Sequence, residues 1–229
     1  MSDLFSKPFA LSIGPQACGT AVLRAYFKRR SDVILPDVEE VFFFDRHIHR
    51  GAGFYKSHFT DREEASLFME LSTTTFDHPR APERIKELLG GRVKLFCLLR
   101  DPVERAVAVY QHYLRYGIVK GGFREACDQA PQILFASRYS DHLENWFAYF
   151  SDIHFISYEA LQNDREAVIR DLCRFLDIPF APPRFFSFSK ILKTLRGRVH
   201  PGDALSPADM AWLQEQLEGE DECLKALFS

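Results

Sequence analysis

The sequence predicts an α/β domain built on a central, mostly parallel sheet flanked by helices. Three observations predict it. Short apolar runs alternate with longer amphipathic ones along the chain. Val93 to Leu99 is almost wholly apolar, as a strand buried on both faces must be. A glycine-framed turn, Gly14 to Gly19, sits between an apolar strand and an amphipathic helix.

The elements follow in order. Phe9 to Ile13 reads as the first strand, and the helix after Thr20 runs to Arg30. Its stripe is Val22, Leu23, Tyr26 and Phe27, and its cations Lys28, Arg29 and Arg30 fall at the end where the helix dipole favours them. Val33 to Leu35 is a second short strand. Glu83 to Leu89 is a helix closed by Gly90 and Gly91. After Val93 to Leu99 and Arg100, Asp101 caps a helix with Pro102 at its first position. The expected inner stripe there is Val103, Val107, Tyr110 and Leu114, with Gly117 as the stop. Ile153 to Ser157 is a further strand. Asn163 and Glu166 are expected to cap the next helix, with Val168, Ile169, Leu172, Phe175 and Leu176 facing inward. Residues 185–203 form a basic irregular stretch, and Ser206 with Pro207 opens a last helix carrying Met210, Leu213 and Leu217.

Composition narrows the function. The chain has 229 residues, with 46% hydrophobic and 27% charged, so it is folded and long enough for one full domain. A net charge of −3 argues against a partner bound by neutralising nucleic-acid phosphates. The use of 22 phenylalanines predicts an aromatic core. Five widely spaced cysteines, with no C-x-x-C pair, point away from a disulfide framework or zinc site and towards a reducing, cytoplasmic setting. The N-terminus lacks a signal-like apolar stretch, and no run approaches the ~20 apolar residues of a membrane span.

The turn from Gly14 to Thr20 is the first functional candidate. Glycines let the backbone fold tightly so that successive N–H groups face an anion, and the helix start adds positive potential. A nucleoside triphosphatase needs Lys and then Ser or Thr after the second glycine, whereas Thr20 and Ala21 stand there. The loop therefore suits phosphate held without a metal. Arg100, at the carboxyl end of a buried strand, is the second anion candidate. His47, His49 and His58 are spaced too irregularly, and with too few companion ligands, to predict a metal site. Trp146 is expected in the core.

Several segments, in order, resemble the sulfotransferases that use 3′-phosphoadenosine 5′-phosphosulfate, in particular the heparan sulfate branch. Ile13 to Thr20 resembles that family's 5′-phosphosulfate loop. Lys94 to Ala106, followed by Tyr110 to Gly117, resembles its 3′-phosphate segment. Residues 40–46 (Glu-Val-Phe-Phe-Phe-Asp-Arg), with His49, Gly51 and Tyr55, resemble the segment carrying its catalytic glutamate. Ala81 to Ile85, Arg138 with Tyr139, and His142 to Trp146 also match, and Arg196-Gly197-Arg198 with His200 resembles its cofactor-closing basic loop.

The resemblance implies a P-loop-like three-layer fold, a single sulfotransferase-like domain over 1–229, and transfer of a sulfuryl group to a hydroxyl or amine without a metal. The implied acceptor is a carbohydrate, glycolipid or other small molecule. It implies Glu40 as the catalytic base and Gly14, Gly19, Thr20, Arg100, Arg196, Gly197 and Arg198 as the cofactor-binding residues. Four slots depart from the pattern. Ala17 stands where a Lys supports the leaving group, Ala108 where a Ser binds the 3′-phosphate, Phe42 where a His is common, and Leu71 where a Lys follows Glu70. Arg46, His47, Arg196 and Arg198 are the candidate substitute cations. The alternative function is a catalytically impaired relative that binds a nucleotide or glycan.

Overall fold

The protein is described here by a computed structural model, which places residues 4–182 and 205–228. Five parallel strands form the sheet, β1 (Phe9–Ser12), β2 (Val33–Ile34), β3 (Leu67–Leu71), β4 (Lys94–Leu99) and β5 (Ile153–Ser157), in the order β2-β3-β1-β4-β5. Registers such as Leu11 opposite Glu70 and Leu98 opposite Ile156 align their carboxyl ends. From β1 the chain goes out to the edge at β2, returns beside β1 as β3, then crosses to the other side as β4. The loop after β1 thus lies where the strand order reverses, the place where open α/β sheets receive ligands.

Strand alternation gives the sheet two apolar faces. On one, Ala10, Met69, Phe96 and Leu98 pack against α1 (Thr20–Phe27), α8 (Tyr158–Asn163) and α9 (Arg165–Phe175). On the other, Phe9, Leu11, Phe68 and Cys97 pack against α2 (Gly51–Ser57), α3 (Ala81–Leu89) and α7 (Tyr139–Phe147). This second face holds the aromatic core. Tyr55 stacks on Phe43 at 4.6 Å, and Phe5 and Phe9 each meet Phe59 nearly edge to face. A satellite cluster forms between α4 (Pro102–Arg115), α5 (Phe123–Gln129), α6 (Gln132–Phe135) and the helix Pro207–Gln216. Trp146 is fully buried, and its indole N–H donates to Phe76 O at 2.9 Å.

The expected strands and the helices at 20, 83, 102 and 207 are all present, with four corrections. The first helix ends at Phe27 rather than Arg30. The sequence reading omits β3, whose run Leu67–Leu71 carries a charged residue, Glu70, in its middle. The α4 stripe is displaced: Pro102, Arg105, Ala106, Val109 and Tyr110 are buried, whereas Val103, Val107 and Leu114 are half-buried against the satellite cluster. An arginine faces inward there because three protein groups take up its donors. Finally, α9 is capped by Asp164, whose side chain accepts from Ala167 N, because Asn163 ends the short preceding helix α8. Residues 185–203, with Arg196, Gly197 and Arg198, lie outside the described residues.

Candidate active site

The loop between β1 and α1 is shaped by backbone that favours glycine. Gly14 and Gly19 adopt φ of +91° and +97°. A Cβ on Gly14 would stand 3.0 Å from Thr73 O, and one on Gly19 would stand 3.0 Å from the Tyr158 ring. Side chains from β4 and α4 fix the loop. Cys97 Sγ, on β4, donates to Gly14 O at 2.9 Å, and Tyr113 OH, on α4, donates to Gln16 Oε1 at 3.0 Å. Gly19 is the N-cap of α1 and offers no side chain to the first turn; Val22 N donates to Gly19 O at 2.9 Å, and the N–H groups of Thr20 and Ala21 carry no hydrogen bond among the described residues. Thr20 Oγ1 is buried without a hydrogen-bond partner among the described residues. An uncapped helix start beside a buried orphan hydroxyl fits a phosphate group.

Arg100 follows β4. Its guanidinium lies over the Tyr158 ring at 4.6 Å and pairs with Glu104 at 2.8 Å. The same Tyr158 ring packs on Gly19, so one aromatic side chain joins the loop to Arg100. Tyr139 OH donates to Arg100 O at 2.9 Å, which pins the strand end. Asp101 caps α4 through Glu104 N at 2.8 Å, as its sequence predicts.

Glu40 lies across the loop from Arg100. Thr73, just past β3, holds both of its oxygens: Thr73 Oγ1 donates to Oε1 at 2.6 Å and Thr73 N to Oε2 at 3.2 Å. Thr73 O is also the atom against which Gly14 packs. Burial pushes the Glu40 carboxyl up, opposed by the Thr73 bonds and the charge of Arg24. Arg24 itself donates to Leu71 O at 3.0 Å and stands 3.9 Å from Glu39. Contacts thus run from Glu40 through Thr73 to Gly14 and from Arg100 through Tyr158 to Gly19, with the loop's own backbone closing the chain.

A cavity of about 250 Å³ opens beside this chain, lined by Gln16, Asp45, Thr73, Asp77, Arg105 and Tyr113 among others. One of its two arginines is committed within the fold. Arg105 is 1% exposed and donates to Ser137 Oγ and to the carbonyls of Gln132 and Ile133. Arg46 lies over Phe42 at 4.5 Å and stands 3.4 Å from Asp45 Oδ2. Asp45 accepts from Thr74 Oγ1 at 2.7 Å, while its Oδ1 is buried without a partner among the described residues. That oxygen can receive an O–H or N–H. Burial raises the Asp77 carboxyl as well.

The structure therefore brings together Glu40, Gly14, Gly19, Thr20 and Arg100. Sequence reasoning missed Thr73, Tyr158, Arg105 and Asp45 as parts of the site. Only the Thr73–Thr75 run after an apolar stretch hinted at one of them, as hydroxyls at a strand's carboxyl end. Of the histidines, His58 Nδ1 lies 2.7 Å from Asp37 Oδ1, and the His47 and His49 rings are 6.1 Å apart. Ala17 has φ +67° and packs partly buried against the satellite cluster.

Comparison with known proteins bears on the family and the fold. The family model described as a sulfotransferase domain matches residues 10–196. The bifunctional heparan sulfate N-deacetylase/N-sulfotransferase of Drosophila melanogaster is 30% identical over 208 residues, covering 76% of this chain and 20% of that protein. The heparan sulfate glucosamine 3-O-sulfotransferase 6 of Homo sapiens is 30% identical over 167 residues, covering 69% of this chain and 48% of that one. The chain thus spans about a fifth of the first relative and about half of the second. A sulfotransferase structure from Alicyclobacillus acidocaldarius superposes with a TM-score of 0.68 at 21% identity, covering 93% of this chain and 95% of that one. A mouse sulfotransferase complexed with PAP gives 0.55 at 14% identity, covering 98% and 89%. At these identities, the two structures speak for the fold alone.

Proposed function

The chain belongs to the sulfotransferase domain family, and from that premise we propose that it moves a sulfuryl group from 3′-phosphoadenosine 5′-phosphosulfate to a hydroxyl or amine, with a carbohydrate or glycolipid as acceptor. The observation that carries this is Thr73. One residue holds both oxygens of Glu40 and packs on Gly14, so the base and the phosphate loop share a wall.

The donor, when bound, supplies a sulfuryl group on a phosphate leaving group. Gly14 to Thr20 would hold the 5′ end, with the N–H groups of the first turn of α1 and the Thr20 hydroxyl facing the anion. Arg100, oriented by Tyr158, would hold the 3′-phosphate. Glu40 takes the proton that the acceptor's oxygen or nitrogen gives up as it bonds to sulfur. Burial makes Glu40 a stronger base than an exposed carboxylate, and Thr73 fixes which way it faces. Asp45 Oδ1 receives a second donor of the acceptor, which suits a polyol or amino sugar.

Negative charge building on the leaving phosphate needs a cation, since Ala17 supplies none. Arg46 at the cavity wall is the described candidate, and the family resemblance adds Arg196, with Gly197 and Arg198. The five cysteines are all unpaired, which suits a reducing compartment.

The test is an acceptor screen with sulfur-labelled donor. Label should pass to a mono- or oligosaccharide in the wild type and not in Glu40→Gln. Tight binding of adenosine 3′,5′-bisphosphate with no transfer to any acceptor would favour the nucleotide- or glycan-binding alternative that Ala17 motivates.

A further inference from the structure

Glu70 is a carboxylate in an unusual place. It sits in the middle of β3, 2% exposed, on the sheet face that carries the aromatic core. Buried carboxylates are costly unless donors meet them. Two do. Tyr55 OH, from α2, donates to Oε2 at 2.5 Å, and Val41 N donates to Oε1 at 3.4 Å. Val41 is the residue directly after Glu40.

The segment 39–41 is thereby held at three successive residues by the end of β3 and its neighbour α1. Glu39 faces Arg24, which is itself docked on Leu71 O. Glu40 is held by Thr73. Val41 is held by Glu70. We propose that Glu70 is a positioning residue for the base: its carboxylate ties Val41 N–H to the Tyr55 hydroxyl and so fixes the strap that presents Glu40 to the cleft. This rests on Glu40 being the base.

The groups facing Glu70 come from each packed element. Tyr55 comes from α2, Glu40 and Asp45 from the strap and the turn after it, and Arg24 from α1. Tyr55 keeps its proton, because burial and the Glu70 charge push its pKa well up. It is therefore a donor whenever Glu70 is ionised. Burial raises Glu70 to about 7, with Glu40 and Asp45 adding to the rise.

Two readouts on the full chain without nucleotide test this, using protein labelled with carbon-13 at the glutamate carboxyls and nitrogen-15 at the amides. The Glu40 and Glu70 carboxyl signals are assigned by their loss in Glu40→Gln and Glu70→Gln. In the wild type the Val41 amide shift should follow the Glu70 titration, since a hydrogen-bonded N–H senses its acceptor. In Glu40→Gln the Glu70 midpoint should move to lower pH by about 0.5–1 unit, because the Glu40 charge adds to its rise. A Val41 amide that ignores the Glu70 titration overturns the proposal, and so does a Glu70 midpoint unmoved in Glu40→Gln. The first readout needs no variant to keep its fold beyond those used for assignment. Failure of the wild type to bind adenosine 3′,5′-bisphosphate would instead count against the proposed donor, and leaves both NMR readouts interpretable.

Discussion

Thr73 gives Glu40 two donors from one residue, a hydroxyl and a backbone N–H, and this fixes the carboxylate more firmly than a single bond could. Thr73→Val keeps the N–H and the shape but removes the hydroxyl. It should lower turnover about tenfold or more while leaving adenosine 3′,5′-bisphosphate affinity within about twofold, measured by steady-state kinetics and calorimetry. Glu40→Gln should abolish turnover and likewise leave nucleotide affinity nearly intact. Glu70 makes a prediction about stability. Its folded value of about 7 lies above the ordinary 4.5, so the folded state holds the proton more tightly than the unfolded one. Stability from this group is then greatest below pH 4.5 and is lost as pH rises towards 7, by roughly 2–4 kcal/mol. Glu70→Gln should flatten that fall in urea unfolding at pH 5 and 7.5, and an equally steep fall in the variant would show that another group causes it. Glu40 was singled out by the family resemblance of residues 40–46. Thr73 was not, because its role arises from contact with a residue 33 positions away, which no local pattern carries.

Among elements, the β1–α1 loop and the start of α4 were legible because local backbone chemistry dictates them. A glycine is needed where φ is positive and a neighbour stands close, and Asp followed by Pro after a buried strand is a common helix start. Gly14→Ala puts a Cβ 3.0 Å from Thr73 O in left-handed backbone. It should destabilise the fold by about 1 kcal/mol or more and weaken nucleotide binding as well, because Thr73 must shift. Asp101→Ala should cost about 1 kcal/mol through loss of the bond to Glu104 N, read as a lower urea midpoint. The strand β3 was not legible, since a carboxylate at its centre mimics a solvated loop. Its burial makes sense only once Tyr55 and Val41 N are beside it. The α4 stripe was misjudged for a related reason. Arg105 faces inward, and Ser137 and two carbonyls that satisfy it come from a separate stretch of chain.

At the scale of the whole molecule, the strand order places the ends of β1, β3 and β4 side by side, and each contributes one part of the site. β1 leads into the phosphate loop, β3 into Thr73, and β4 into Arg100. Alternating apolar and amphipathic runs made the parallel sheet legible, but the order of its strands follows from packing on both faces. Tyr158 and Thr73 then act as spacers that hold Arg100 and Glu40 on opposite sides of the loop. Such a layout would suit the proposed donor, which carries phosphates at two separated positions. Calorimetric titration with adenosine 3′,5′-bisphosphate, in chelator to exclude magnesium, tests this most directly when wild type and Arg100→Ala are compared. The wild type should bind, and Arg100→Ala should bind more weakly by about 2–5 kcal/mol through loss of a desolvated charge partner. No binding by the wild type, or equal binding by both proteins, would contradict it.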